Sequence, residues 1–173
     1  HDIYNSELYI YPPLKEHENI IYISAILHDM CDKKYMNETE GLFEIDKFLD
    51  NKLENTEKKA VLDIISTMSY STVKKNGFPN LGIYQKAYHC VREADLLAAY
   101  DFDRCIIYDM YKRGNSYSHS FSRAEELFDN RVLKYGSDNL FTTEHAKQTY
   151  PVLHNNAVTR IQNWRRIIKR TII

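Results

Sequence analysis

Apolar residues recur at steps of three and four along most of this chain, and nowhere do they alternate one by one. That periodicity marks amphipathic helices and leaves no segment that reads as a half-buried strand. Ile20, Ile23, Leu27 and Met30 follow it over residues 16–30, and Leu42, Ile45, Leu49 and Leu53 over residues 39–54. Ala60, Val61, Ile64, Ile65 and Met68 mark another helix, and Ala87, Val91, Ala94 and Ala98, with Leu97 beside them, mark one from about 83 to 100. A further helix is predicted to run to Arg113, where "RGNS" stops it. Pro12-Pro13 ends the first helix. "SRAE", Ser122 to Glu125, reads as a capping box, with Gly136 closing the helix it opens, and Pro151 starts or kinks the last one. The predicted fold is all-α.

Composition narrows the class. With 43% hydrophobic residues and five glycines in 173 residues, the chain suits one domain, 1–173, built on a single core. Lys and Arg number 23 against 24 Asp and Glu, so no global field points to nucleic acid or an anionic membrane. The local exception is the end, where Arg160, Arg165, Arg166, Lys169 and Arg170 occur without an acid, as suits the C-terminal part of a solvated helix. Cys31, Cys90 and Cys105 are odd in number and lack a CxxC pair, which argues against a disulfide framework and for a reducing compartment. With no apolar run near 18 residues and no signal-peptide pattern, the expectation is a soluble cytoplasmic protein. "HDIYNSELYIY" reads as the middle of a helix, so residues before His1 are expected. Nothing in the sequence indicates the oligomeric state.

Chemistry-bearing residues gather at the end of one apolar helix, in "ISAILHDMCDKKY". His28-Asp29, buried there, would be costly unless paired or coordinated, because desolvating a carboxylate costs several kcal/mol. A divalent cation removes that cost. His1 precedes His28 by 27 residues, and Asp95 follows Asp29 by 66 inside "READLLAAY".

This H…HD…D arrangement resembles the HD superfamily of metal-dependent phosphohydrolases, whose four ligands sit on a helical core. "HDMCDKKY", then "IISTMSYS", then "READLLAA" look most like a small group of HD nucleotide pyrophosphatases, with text close to HDxxDxK, a Ser-aromatic-Ser turn and DADRLDA. Glu93 stands for the first Asp of DAD and Leu96 for its Arg. The resemblance implies an HD-domain helical bundle in which His1, His28, Asp29 and Asp95 hold one divalent metal. Two neutral imidazoles and two carboxylates neutralise such an ion, and the mixed nitrogen and oxygen shell suits Mn²⁺, Mg²⁺, Fe²⁺, Co²⁺ or Ni²⁺. A second metal would need further histidines between the His28-Asp29 pair and Asp95. Only His89 lies there, and six residues of regular helix turn it to a different face from Asp95.

Asp32, four residues after His28, lies about one helical turn on and could take a proton from metal-bound water, a role the resemblance also gives it. Lys34 matches the Lys of HDxxDxK and would act as a point charge on a transferring phosphate. Lys33 and Ser71 are further candidate substrate contacts, Ser71 at the head of the loop "YSTVKKNGFPNLG". Arg104, nine residues past Asp95, would reach the same cleft as a phosphate clamp if the helix continued. The implied activity is hydrolysis of a nucleoside triphosphate to monophosphate and pyrophosphate. The alternatives are a 5'-nucleotidase or phosphodiesterase of the same fold, acting on a nucleotide or other phosphorylated small molecule, and a catalytically slow HD-fold binding or regulatory protein.

Overall fold

The computed structural model describes residues 1–31 and 37–171, without the side chains of 31, 38 and 169–171. Among these residues the chain is all-α and contains no strand. The helices are α1 (Asp2–Ile10), α2 (Glu18–Leu27), α3 (Glu38–Leu49), α4 (Asn55–Thr67), α5 (Tyr70–Asn76), α6 (Gln85–Ala98), α7 (Phe102–Arg113), α8 (Tyr117–Asn130) and α9 (Glu144–Thr171). The chain divides into two compact units, His1–Arg92 and Glu93–Ile173, the division falling inside α6. None of the described helices is long and apolar enough to cross a membrane.

In the first unit, α2 and α3 both pack on α4. All five apolar residues predicted for α4's inner face, Ala60, Val61, Ile64, Ile65 and Met68, are buried. Each large aliphatic side chain removed from water in this way contributes about 1.5–3 kcal/mol. Glu54 and Glu57 form the capping box that starts the helix, with the Glu54 N–H donating to Glu57 Oε2 at 3.3 Å.

α2 is shorter than the segment 16–30 that its periodicity suggests. Pro12–His17 form a 3₁₀ segment before it, and at His28 the backbone tightens again into a 3₁₀ turn, His28–Cys31. Three residues per turn rotate the stripe, so Ile20, Ile21, Ser24 and Leu27 are buried while Met30 is 47% exposed. α3 likewise stops at Leu49 and not at residue 54. Asn51 takes a left-handed backbone, φ 61°, and the Lys52 N–H donates back to the Leu49 carbonyl at 3.1 Å.

In the second unit, α7 packs on α8 and α9. The predicted stop after Arg113 is present, with Gly114 left-handed at φ 63° as the helix's final cap. Asp109, buried near that end, accepts from Asn115 Nδ2 at 2.7 Å and Ser120 Oγ at 3.0 Å, with Arg123 Nε 3.2 Å away. These donors, the Asn115 amide first, hold its carboxyl below the usual carboxylate range and tie the α7–α8 turn together.

Two predicted boundaries move here. α8 starts at Tyr117 because the Ser116 hydroxyl caps the His119 N–H, so Ser122 of the expected capping box lies mid-helix and donates to the Ser118 carbonyl at 3.1 Å. α9 begins at Glu144, which places Pro151 inside it and excludes Pro151 as its start. α6 buries Ala87 and Val91 as expected but leaves Ala94 and Ala98 at the surface. Its inner face instead takes two charged residues. Arg92 lies over the Phe78 and Tyr88 rings, at 4.7 and 5.8 Å, and Glu93 accepts four hydrogen bonds from Thr142 and Thr143 just before α9.

Gly136 lies in the turn between α8 and α9. A methyl group there would stand 2.6 Å from Cε2 of Tyr150, whose ring is stacked on Phe141 at 4.8 Å and cannot swing away cheaply. Gly136→Ala is therefore expected to cost about 1–3 kcal/mol, the range for overpacking. Urea denaturation with wild-type stability in this variant would contradict the packing described.

Candidate metal centre

His28 follows the last residue of α2, and its ring is fixed by the helix itself. Nδ1 lies 2.8 Å from the Ala25 carbonyl. A carbonyl only accepts, so Nδ1 carries the proton, and in the neutral ring Nε2 holds the lone pair. That nitrogen lies 3.3 Å from Asp29 Oδ1. An imidazole that donates one ring N–H to a backbone carbonyl is held as metal-ligating histidines are held. Solvation differs from the expectation, however. The His28 side chain is 24% exposed, but that of Asp29 is 72% exposed, so the desolvation cost expected to demand a cation does not arise at Asp29.

His1 immediately precedes α1 and shares a 2.6 Å hydrogen bond, through Nδ1, with the Tyr22 hydroxyl. The two rings also stack, centroids 6.3 Å apart. His1 is thus tied to α2, the helix that His28 follows, through a tyrosine that spacing did not single out. Asp95 lies on α6 in the second unit, half-buried, its carbonyl accepting from the Ala99 N–H at 3.1 Å. Among the described residues, no group of three or more His, Cys, Asp or Glu side chains is gathered so that it could hold a metal ion.

Asp32, Lys33 and Lys34 lie outside the described residues. The described backbone before them, His28 to Cys31, is 3₁₀. Ser71 is exposed on α5, in a segment expected to be a loop that forms a short helix instead. Ser69 caps this helix by accepting from the Thr72 N–H at 3.2 Å, and its hydroxyl lies 3.2 Å from that of Ser71. Arg104 is exposed, and its N–H donates to the capping carboxylate of Asp101 at 3.1 Å. The helix carrying Asp95 ends at Ala98, and α7 starts afresh at Phe102. The nine-residue spacing therefore does not put Asp95 and Arg104 on one face. His89, set aside as a second-metal ligand, lies 3.1 Å from Gln85 Nε2 and edge-on to Phe78.

A cavity of about 210 Å³ in the second unit is lined by Tyr100, Asp101, Phe102, Asp103, Asn156, Ala157 and Arg160. None of the candidate residues lines it. Asp103 accepts from Arg160 Nε at 2.8 Å and Trp164 Nε1 at 2.7 Å, and the guanidinium above all keeps its carboxyl below the ordinary range. Burial pushes the Tyr100 phenol up. Near the chain's end, among the described side chains, Arg160 pairs with Asp103 and Arg165 with Glu125 within this unit. Compared with protein-family models, curated proteins and solved structures, the chain matches none.

Proposed function

We propose that this chain is a divalent-metal-dependent phosphohydrolase of the HD type that directs water onto the α-phosphorus of a nucleoside triphosphate, giving monophosphate and pyrophosphate. Beside the sequence pattern, the observation that supports this reading is the His28–Asp29 pair, with His28 Nδ1–H fixed on the Ala25 carbonyl and Nε2 3.3 Å from a carboxylate oxygen. This pair fits one edge of a mixed nitrogen and oxygen shell. His1, His28, Asp29 and Asp95 would hold one Mn²⁺, Mg²⁺, Fe²⁺, Co²⁺ or Ni²⁺ ion, which when bound polarises the phosphoryl oxygen. In this reading Asp32 accepts the proton of the attacking water. Lys34 neutralises the departing pyrophosphate, and Lys33 and Ser71 contact the nucleotide. Arg104 is left out, because its place beside Asp95 rested on a continuous helix. We place the reaction in the cytoplasm, on a small-molecule substrate.

The solvent exposure of Asp29 favours one second reading, an HD-fold binding or regulatory protein with slow turnover. Measured hydrolysis separates the two. The shell itself is tested by elemental analysis of the purified chain. One equivalent of metal is expected in the wild type and almost none in His28→Ala or Asp95→Ala, with far-UV circular dichroism unchanged because core packing supplies most of the helical stability. Stoichiometric metal in either variant would overturn the ligand set.

A further inference from the structure

Asn76 is the last residue of α5 and precedes Gly77, the only place in the sequence where a glycine follows an asparagine. Both residues are exposed. Gly77 leaves the helix at φ 74°, and a methyl group added to it would meet nothing within 4 Å, so the space around this peptide is open. The side-chain amide carbon of an asparagine can close a ring with the nitrogen of the next residue, and a glycine there puts no side chain in the way. One contact restrains that nitrogen. The Gly77 N–H donates to the Val73 carbonyl at 2.8 Å and so completes the last turn of α5.

We propose that Asn76 is a site of spontaneous deamidation, gated by opening of the last turn of α5. Once that turn opens, the Gly77 nitrogen gives its proton to the solvent and attacks Cγ of Asn76. The new N–Cγ bond forms as the Cγ–Nδ2 bond breaks, and ammonia leaves with a proton from water. Water then opens the resulting succinimide at either carbonyl, giving aspartate or isoaspartate. Water is the only co-reactant. The helix suits a gate of this kind. It has seven residues, fewer than the roughly 12–15 that make an isolated helix even marginal, and only Val73 among them is buried. Segments with so few buried contacts open locally, well before the whole domain does. Its start depends on the Ser69 hydroxyl, which accepts from the Thr72 N–H at 3.2 Å. Asn115, which precedes a serine, lacks this freedom, because its amide is held on Asp109 at 2.7 Å. The carboxylate made at Asn76 lies in the last turn of α5, where the helix dipole opposes it, so the product frays further.

The full chain, incubated at neutral and mildly alkaline pH and mapped by peptide mass spectrometry, reads the reaction directly. Asn76 is expected to gain the mass of an amide-to-acid exchange before any other asparagine, with isoaspartate and aspartate resolved by chromatography. Its rate should rise with pH, because the attacking nitrogen must lose a proton. Ser69→Ala, which removes the cap, should speed the conversion about fivefold. Ser69→Asp, which restores an acceptor at the same position, should return it to the wild-type rate, and the urea-unfolded chain should convert fastest. Hydrogen exchange at the Gly77 amide reports the gate in the wild type, whether or not circular dichroism shows the alanine variant folded. An Asn76 that converts no faster than the other asparagines of the folded chain overturns the proposal. A conversion as fast in the folded chain as in urea, or a Gly77 amide that exchanges without protection, overturns the gate.

Discussion

Glu93→Ala is expected to cost about 3–5 kcal/mol, a large part of the roughly 5–15 kcal/mol that holds a domain together. The Glu93 carboxylate is fully buried. It accepts from the Thr142 N–H and hydroxyl at 2.9 and 2.6 Å, and from the Thr143 N–H and hydroxyl at 3.0 and 2.7 Å. The Thr143 hydroxyl in turn accepts from the Ala146 N–H at 3.3 Å, so one side chain organises the start of the 28-residue helix α9. Its negative charge also faces the positive end of that helix's dipole. Truncation leaves the buried Thr143 donors and the part-buried Thr142 donors with no acceptor, each buried one costing about 1–3 kcal/mol unless water enters. Glu93→Gln keeps the shape while losing the charge, and a smaller loss, about 1–3 kcal/mol, is expected. Urea denaturation followed by circular dichroism measures both. A loss under about 1 kcal/mol for the alanine variant, below the cost of even one stranded donor, would contradict this account of how α9 is anchored.

The second large effect is kinetic. In the proposed mechanism Asp32 accepts a proton and holds no metal, so Asp32→Asn should bind the ion normally and lose on the order of 10²–10⁴ in kcat. The amide cannot take the proton that the attacking water must shed. Steady-state rates paired with metal content separate the outcomes. Loss of metal makes Asp32 a ligand, and an unchanged rate removes it from the chemistry.

The comparison of pattern with structure divides along sequence distance. α4 was legible in full, because a helix packed on one side writes its buried face as steps of three and four, and Ala60 to Met68 follow that rule without interruption. The stop at Gly114 was equally plain, since a left-handed backbone favours glycine and marks itself. The start of α9 was not legible. Its anchor, Glu93, lies 49 and 50 residues from the threonines it holds, and no local spacing encodes such a bond. Ser122 misled for the complementary reason, a capping sequence outcompeted by Ser116 one and a half turns earlier.

The candidate site divides in the same way. His28 and Asp29 are neighbours in the chain, and the structure keeps them together. The Ala25 carbonyl that fixes the His28 tautomer is one turn back, within reach of helical reasoning. Tyr22, which holds His1, is 21 residues away and left no signal. Arg104 shows the opposite failure, a spacing argument that assumed one helix where Asp101 caps a new one.

The central claim is hydrolysis at the α-phosphorus, and it is tested most directly with nucleoside triphosphates in ¹⁸O-labelled water, with Mn²⁺, Mg²⁺, Fe²⁺, Co²⁺ or Ni²⁺ supplied in turn. Metal-dependent turnover is expected, with pyrophosphate as the first product and the label in the nucleoside monophosphate. Absence of turnover with every one of these ions, or free nucleoside released together with labelled phosphate, would contradict it.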